Sequence, residues 1–96
     1  MIQHEDVIDR KIIALSGKFK TAIVRLIQNN IDENFFADQY QPLVREMLDY
    51  YKIYFELITT DTLTQILVDR NKEQSTIAAI TATLEDIMID PDMVKD

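Results

Sequence analysis

Residues 5–28 read EDVIDRKIIALSGKFKTAIVRLIQ, and their apolar side chains recur with the period of an α-helix. The intervals between successive members of this stripe are 4, 3, 4, 4 and 3 residues. Its members are Ile8, Ile12, Leu15, Phe19, Ile23 and Leu26. The stripe keeps its phase across Gly17, which falls on the opposite, polar side. The pattern therefore predicts one continuous helix of roughly 24 residues.

A second helical segment is predicted from about residue 33 to residue 59, with Pro42 inside it. Proline is accepted in the first turn of a helix and is costly in its interior. Either a short helix over 33–40 precedes a new one that begins near Gln41, or a single helix is kinked at Pro42. The apolar phase continues across the proline, which favours close alignment of the two parts.

The rest of the chain predicts one or two further helices. A helical pattern begins near Leu63 and then meets eight consecutive residues without an apolar side chain, 69–76. A break at 70–75, with Ser75 or Thr76 as the cap, would give two short helices, and otherwise one long helix forms. We expect an all-α single domain over residues 1–96, with residues 1–4 and 91–96 frayed. Its architecture would be an antiparallel bundle of three long helices, or of four if the break is present.

The composition excludes several classes of function. The 96 residues include no Cys, one His, one Gly and two Pro. Disulfides, thiolate metal sites and glycine-rich phosphate loops are therefore ruled out. The single imidazole, His4, precedes Glu5, so the Glu-x-x-His motif of di-iron bundles is missing. We expect no enzymatic activity, no metal and no cofactor.

The net charge of −7 is unevenly distributed. Residues 1–30 carry five bases and three acids, whereas residues 31–96 carry five bases and fourteen acids. An acidic chain repels phosphate, so nucleic acid is not an expected partner. Three bases spaced by seven residues form a basic contact line, which would face an acidic partner, a phosphate backbone or, as we expect, the acidic helices of the chain itself. These bases are Lys11, Lys18 and Arg25.

The sequence shows neither a membrane span nor a leader. No apolar run approaches the ~20 residues that a membrane-spanning helix needs. No basic segment leads from Met1 into an apolar stretch, as a signal peptide requires. We therefore expect a cytoplasmic protein.

Seven of the eight aromatic residues lie between residues 35 and 55, and the helix that follows Leu43 has an unusually wide apolar arc. The arc spans about 220°, roughly twice the stripe that a surface helix buries. The aromatic residues either fill the bundle core, with tyrosine hydroxyls at its rim, or leave one edge of the arc exposed. That edge would form a partner interface or self-interface. Its residues are Leu43, Tyr50, Ile53, Tyr54 and Leu57.

The width of this arc predicts a small non-enzymatic protein–protein interaction module, an adaptor or regulator. It would self-associate as a homo-oligomer, a homodimer in the simplest case, through its aromatic-rich second helix. One alternative is an acidic inhibitor or immunity-type protein that blocks a basic site on an enzyme or a nucleic-acid-binding protein. Another is an assembly component of a phage or secretion particle. No stretch of the sequence carries a recognisable family motif.

Overall fold

The computed structural model describes residues 4–89, with side chains from Val7 onwards, and is helical without strands in that range. The α-helices are α1 (His4–Lys18), α2 (Lys20–Gln28), α3 (Gln41–Tyr54), α4 (Thr60–Asp69) and α5 (Gln74–Ile89). Two short 3-10 helices, Glu33–Phe35 and Asp38–Tyr40, connect α2 to α3. The all-α prediction is confirmed, but the described chain has five helices instead of three or four long ones. The prediction of frayed ends concerns residues 1–3 and 91–96, outside the described range, and His4, which α1 includes.

The expected single helix over residues 5–28 is wrong, because the chain breaks at Phe19. Phe19 has an extended backbone, with φ −125° and ψ 124°, and is the N-cap of α2. Its amide bonds to the carbonyl of Leu15 at 2.8 Å, so the hydrogen bonds of α1 continue up to the break. The break lets each helix bury its own face. Ile13 and Ile23 are both almost fully buried, although they would lie about 80° apart on a continuous helix.

The buried face of α1 also differs from the expected stripe. Ile13 and Ser16 are buried, whereas Ile8, the first member of the stripe, is 51% exposed. The expectation that Gly17 lies on the polar, solvent-facing side of the helix is wrong. A Cβ at this position would lie 3.0 Å from the sulfur of Met88 on α5. The missing side chain at Gly17 therefore allows α5 to approach α1 closely.

α3 begins at the proline and ends earlier than predicted. Pro42 lies in the first turn of α3, so a new helix does begin near Gln41, although residues 33–40 form 3-10 turns instead of a short α-helix. The buried carboxylate of Asp9 on α1 accepts a hydrogen bond from the Ala37 amide at 2.8 Å, which holds this connection against α1. α3 ends at Tyr54 instead of continuing to residue 59.

The break at 70–75 is present, so α4 and α5 are separate helices. α4 is capped by Thr59, whose hydroxyl accepts a hydrogen bond from the Thr62 amide at 3.1 Å. It ends in a Schellman motif around Asn71, and α2 ends in the same motif around Asn30. α5 begins at Gln74, so the expected cap at Ser75 or Thr76 is wrong, because both residues lie in the first turn of the helix. The polar run 69–76 thus contains a helix end, a turn and a helix start.

The core draws side chains from all five described α-helices. Its largest fully buried members are Ile13, Ile23, Leu43, Leu63, Leu67 and Ile87. The Cα radius of gyration is 12.7 Å, near the roughly 12–13 Å expected for a folded chain of this length. Between residues 4 and 89, no helix has the length and apolar character needed to cross a lipid bilayer.

Candidate interaction surface

The structure separates the five residues of the predicted interface by burial. Leu43 lies in the core, whereas Tyr50 and Leu57 are half-buried. Ile53 is 66% exposed and Tyr54 is 58% exposed. The open edge of the wide apolar arc therefore lies at the C-terminal end of α3, and Leu43 contributes to packing instead of to this surface.

Phe55 extends this surface, although the periodicity did not indicate it. It directly follows α3, is 66% exposed and has a left-handed backbone with φ 58°. The two other described non-glycine residues with positive φ are Asn30 and Asn71, and asparagine tolerates this conformation better than a bulky residue does. The ring of Phe55 contacts that of Tyr51 edge-to-face, with 6.1 Å between centroids. An aromatic residue thus occupies a helix end where glycine or asparagine is usual.

Apolar side chains at this helix end are exposed or half-buried, and we call them together the α3-end patch. It consists of Tyr50, Ile53, Tyr54 and Phe55. The rings of Tyr50 and Tyr54 lie 4.7 Å apart between centroids, so they pack on each other along the helix. Beside them is a cleft of about 110 Å³, which Asp49 and Ile66 of α4 also line. The patch is therefore an apolar surface with a carboxylate at its edge.

A buried ion pair lies next to the patch. Glu46, the charged exception within the apolar arc of α3, has only 7% of its surface exposed. Its carboxylate accepts a hydrogen bond from the guanidinium of Arg70, the C-cap of α4. Both residues line the cleft beside Ile53. The pair satisfies a carboxylate that would be costly to bury alone, and it connects α4 to α3 at the patch.

The predicted basic contact line does not form a single row on one helix. Lys11 and Lys18 lie on α1 and Arg25 lies on α2, and all three are exposed. None of them forms an ion pair with another residue in the described range. These three positive charges therefore remain available at the surface of the two N-terminal helices.

Two other bases connect the N-terminal helices to the acidic remainder of the chain. Arg10 donates a hydrogen bond to Asp86 on α5 at 2.7 Å, and Lys20 pairs with Glu56 at 3.2 Å. The hydrogen bond to Asp86, with a further contribution from Tyr40, raises the pKa of the Arg10 guanidinium against the opposing effect of burial. The pair at Lys20 places the start of α2 next to the residues that follow α3.

Grooves open on two sides of the described chain. One, of about 580 Å³, lies on the outer side of α1 and α2, and we call it the α1–α2 groove. It is lined by Ile12, Leu15, Ser16, Phe19, Thr21, Ala22, Arg25 and Leu26. The other, of about 560 Å³, lies between α3 and α5 and has both acidic and basic side chains in its lining. Among residues 4–89, no group of three or more His, Asp or Glu side chains is arranged to hold a metal ion.

Known proteins provide no functional assignment for this arrangement. No protein-family model, curated protein or solved structure matches the chain.

Proposed function

We propose that this chain is a non-enzymatic protein–protein interaction module that forms a homodimer through the α3-end patch. The observation that carries the proposal is the run of residues 53–55, three consecutive apolar residues that are each more than half exposed. Several exposed apolar side chains at one helix end of a small domain are typical of an interaction site, since their burial against a partner is favourable in free energy.

The backbone at Phe55 supports the same proposal. A bulky residue in the left-handed region costs roughly 1–2 kcal/mol. The contact with Tyr51 offsets part of this cost, since an aromatic pair contributes about 0.5–1.5 kcal/mol. Glycine or asparagine would end α3 with less strain. We infer that the strained conformation is retained because it holds the ring outward for a partner.

The chemistry of the patch fits a protein better than a small molecule. Tyrosine and phenylalanine are enriched at interfaces because they offer a large and rigid apolar area, and tyrosine adds a hydroxyl that can hydrogen bond. The cleft beside the patch measures about 110 Å³, whereas ligand pockets usually exceed about 300 Å³. A broad surface without a deep cavity is suited to another protein surface.

Two variants and a matched control test the proposal. Tyr54→Lys places a charge in the patch, and Phe55→Gly removes the exposed ring while it relieves the left-handed backbone. Val68→Lys is the control, because Val68 on α4 is a half-exposed apolar residue outside the patch. Sedimentation equilibrium over a wide concentration range measures the dissociation constant of the dimer, and circular dichroism reports whether each variant keeps its helices.

We expect the mass of the wild type to rise with concentration from 11.2 kDa towards twice that value. Each patch variant should dimerise at least about 30-fold more weakly, as expected for hot-spot residues. The Val68→Lys control should behave as the wild type. A wild-type chain that stays monomeric at millimolar concentration, or patch variants that dimerise as strongly as the wild type, would refute the proposal.

The acidic surface favours a second candidate function, the blocking of a basic site on another macromolecule. Asp61, Glu73 and Glu85 are exposed, and none of them has an ion-pair partner in the described range. Charge-steered binding weakens steeply with salt, whereas burial of apolar surface does not. A homodimer that persists at high ionic strength supports the first proposal. A monomer that binds poly-lysine in a salt-sensitive manner supports the second.

A further inference from the structure

The outward face of α1 and the break that follows it carry apolar side chains that the described chain leaves exposed or only half covers. Ile8 and Phe19 are exposed, and Ile12 and Leu15 are half-buried. These four residues belong to the regular stripe that the periodicity assigned to the core. Three of them, Ile12, Leu15 and Phe19, line the α1–α2 groove. The N-terminal helices therefore present a second exposed apolar surface in addition to the α3-end patch.

Positive charge surrounds this second surface. Round the axis of α1, Lys11 lies about 40° from Leu15 and Lys18 lies about 60° from Leu15, both on the side away from the core. Arg25 lines the groove itself, and no acidic residue of the described chain does so. The α1–α2 groove is therefore an apolar groove with positive charges along one side that have no ion-pair partner among the described residues. Such a groove fits an apolar surface with negative charge at its edge.

The α3-end patch has this complementary chemistry. Asp49 lines the cleft beside Ile53 and lies about 40° from Ile53 round the axis of α3, whereas Lys52 lies about 100° away. Glu56 directly follows Phe55 in the chain. Glu56 is paired with Lys20, and Arg70 of the same cleft is paired with Glu46. Asp49 is thus the carboxylate at this edge without an ion-pair partner in the described range, and its charge is complementary to that of Arg25 in the groove.

The groove and the patch are neighbours on the same chain. The ion pair between Lys20 and Glu56 joins the start of α2 to the residues after α3, with 3.2 Å between Nζ and Oε2. Phe19 precedes the lysine and Phe55 precedes the glutamate, so each surface contributes an exposed aromatic residue next to this pair. A two-fold axis near the pair can therefore place the patch of each protomer on the groove of the other.

We propose that the α1–α2 groove is the binding surface for the α3-end patch of a second copy of this chain, so that the homodimer contains two identical groove-to-patch contacts. This inference rests on the proposed function and names the surface that the patch binds. A stable dimer buries about 800 Å² on each partner, which is about an eighth of the 6340 Å² accessible surface of the chain. The four residues of the patch are too few for this area, so a second surface has to contribute to the interface, and the α1–α2 groove is the neighbouring apolar surface.

Complementation between two variants tests the inference. Arg25→Glu reverses the charge in the groove, and Tyr54→Lys disrupts the patch. Lys72→Glu is the matched control for charge reversal, because Lys72 is exposed, follows α4 and lines neither the α1–α2 groove nor the cleft beside the patch. In a mixture of the two variants, one chain keeps an intact groove and the other keeps an intact patch. The two altered sites then face each other with opposite charges.

We expect each variant alone to dimerise at least about tenfold more weakly than the wild type, and their equimolar mixture to form a heterodimer. The control should dimerise normally. If Arg25→Glu dimerises as the wild type and does not rescue Tyr54→Lys, the contact runs from patch to patch, which overturns this inference and leaves the proposed function standing. A wild type that is monomeric throughout overturns both, because a second copy then occupies neither surface.

Methyl NMR of the wild type provides a second measurement that does not depend on variants. The methyl signals of Ile12 and Leu15, on the wall of the groove, should shift as the concentration passes through the dissociation constant. The signals of Val68, outside both surfaces, should not. Dimerisation that leaves the groove signals unchanged would overturn the inference.

Discussion

The substitution Ser16→Ala should stabilise this chain. The Ser16 side chain is almost fully buried in α1, and its Oγ has no hydrogen-bond partner in the described structure. It borders a cavity of about 10 Å³ whose other lining residues are apolar, among them Ile13, Ile23 and Phe36. A cavity of this size is at the lower limit for holding a water molecule, and these side chains offer it no second polar partner. The hydroxyl is therefore buried without compensation.

Three contributions set the size of the effect. Removal of an unpaired buried hydroxyl stabilises the fold by about 1–3 kcal/mol. Alanine adds up to about 0.7 kcal/mol of helix propensity over an ordinary residue. The lost packing of one oxygen costs roughly 0.5–1 kcal/mol, at ~0.1–0.2 kcal/mol for each atom pair. The net gain in the free energy of unfolding is about 1–2 kcal/mol, so the melting temperature should rise by at least about 4 °C.

Urea titration and thermal melting of the wild type and the variant measure this gain. Ser75→Ala is the matched control, because Ser75 is the other serine of the sequence and is exposed at the start of α5. It should change the free energy of unfolding by less than about 0.5 kcal/mol. Ser16→Ala could instead be less stable than the wild type by more than about 1 kcal/mol, which exceeds the lost packing of one oxygen. In that case the hydroxyl has a hydrogen-bond partner, and the reasoning from its burial is wrong.

Two further predictions concern tertiary contacts. Arg70→Gln removes the charged partner of buried Glu46 and should lower the free energy of unfolding, measured by urea titration, by about 2–3 kcal/mol. This loss is smaller than for a fully buried ion pair, because Arg70 is half-exposed. Arg45→Gln, at a more exposed ion pair, should cost under about 1 kcal/mol, and equal losses would contradict this ranking. Gly17→Leu should destabilise by about 1–3 kcal/mol, because its side chain would enter the space of Met88. Gly17→Ala should be nearly neutral. Alanine gains up to about 1 kcal/mol in helix propensity, and this gain offsets a close contact with Met88 that its flexible thioether can relieve by moving. A melting temperature for Gly17→Ala below that of Gly17→Leu would disprove this.

The all-α class is the feature of the fold that the sequence predicts correctly, and it follows from apolar residues spaced three and four apart over long stretches. The start of α3 near Gln41 is one of the two alternatives that Pro42 left open, because proline fits the first turn of a helix and not its interior. The separation of α4 from α5 is likewise one of two alternatives, and its cause is a polar run that cannot continue an apolar face. Each of these causes acts within a few residues, so the amino-acid order alone contains it.

The break at Phe19 and the orientation of α1 have causes that are distant in sequence. Periodicity identifies an apolar stripe but does not determine which surface of the molecule it faces. In α1 the side that is buried includes Asp9, because the amide of Ala37, 28 residues away, satisfies its carboxylate. Gly17 adds a close approach by Met88 of α5. Contacts across such separations decide the orientation, and no pattern within residues 5–28 encodes them.

The candidate site depends on the same two unpredicted features. The early end of α3 at Tyr54 lets the following chain return Ile58 to the core, and this reversal leaves Phe55 outward. The break at Phe19 leaves the outer side of the N-terminal helices exposed in the same way. Each departure from a simple bundle thus creates one exposed apolar surface, and the Lys20–Glu56 pair brings the two surfaces together. A sequence selected only for a stable monomer would gain stability from burying both surfaces within the chain. Their adjacency and opposite charge therefore favour a dimer in which the patch of each protomer covers the groove of the other.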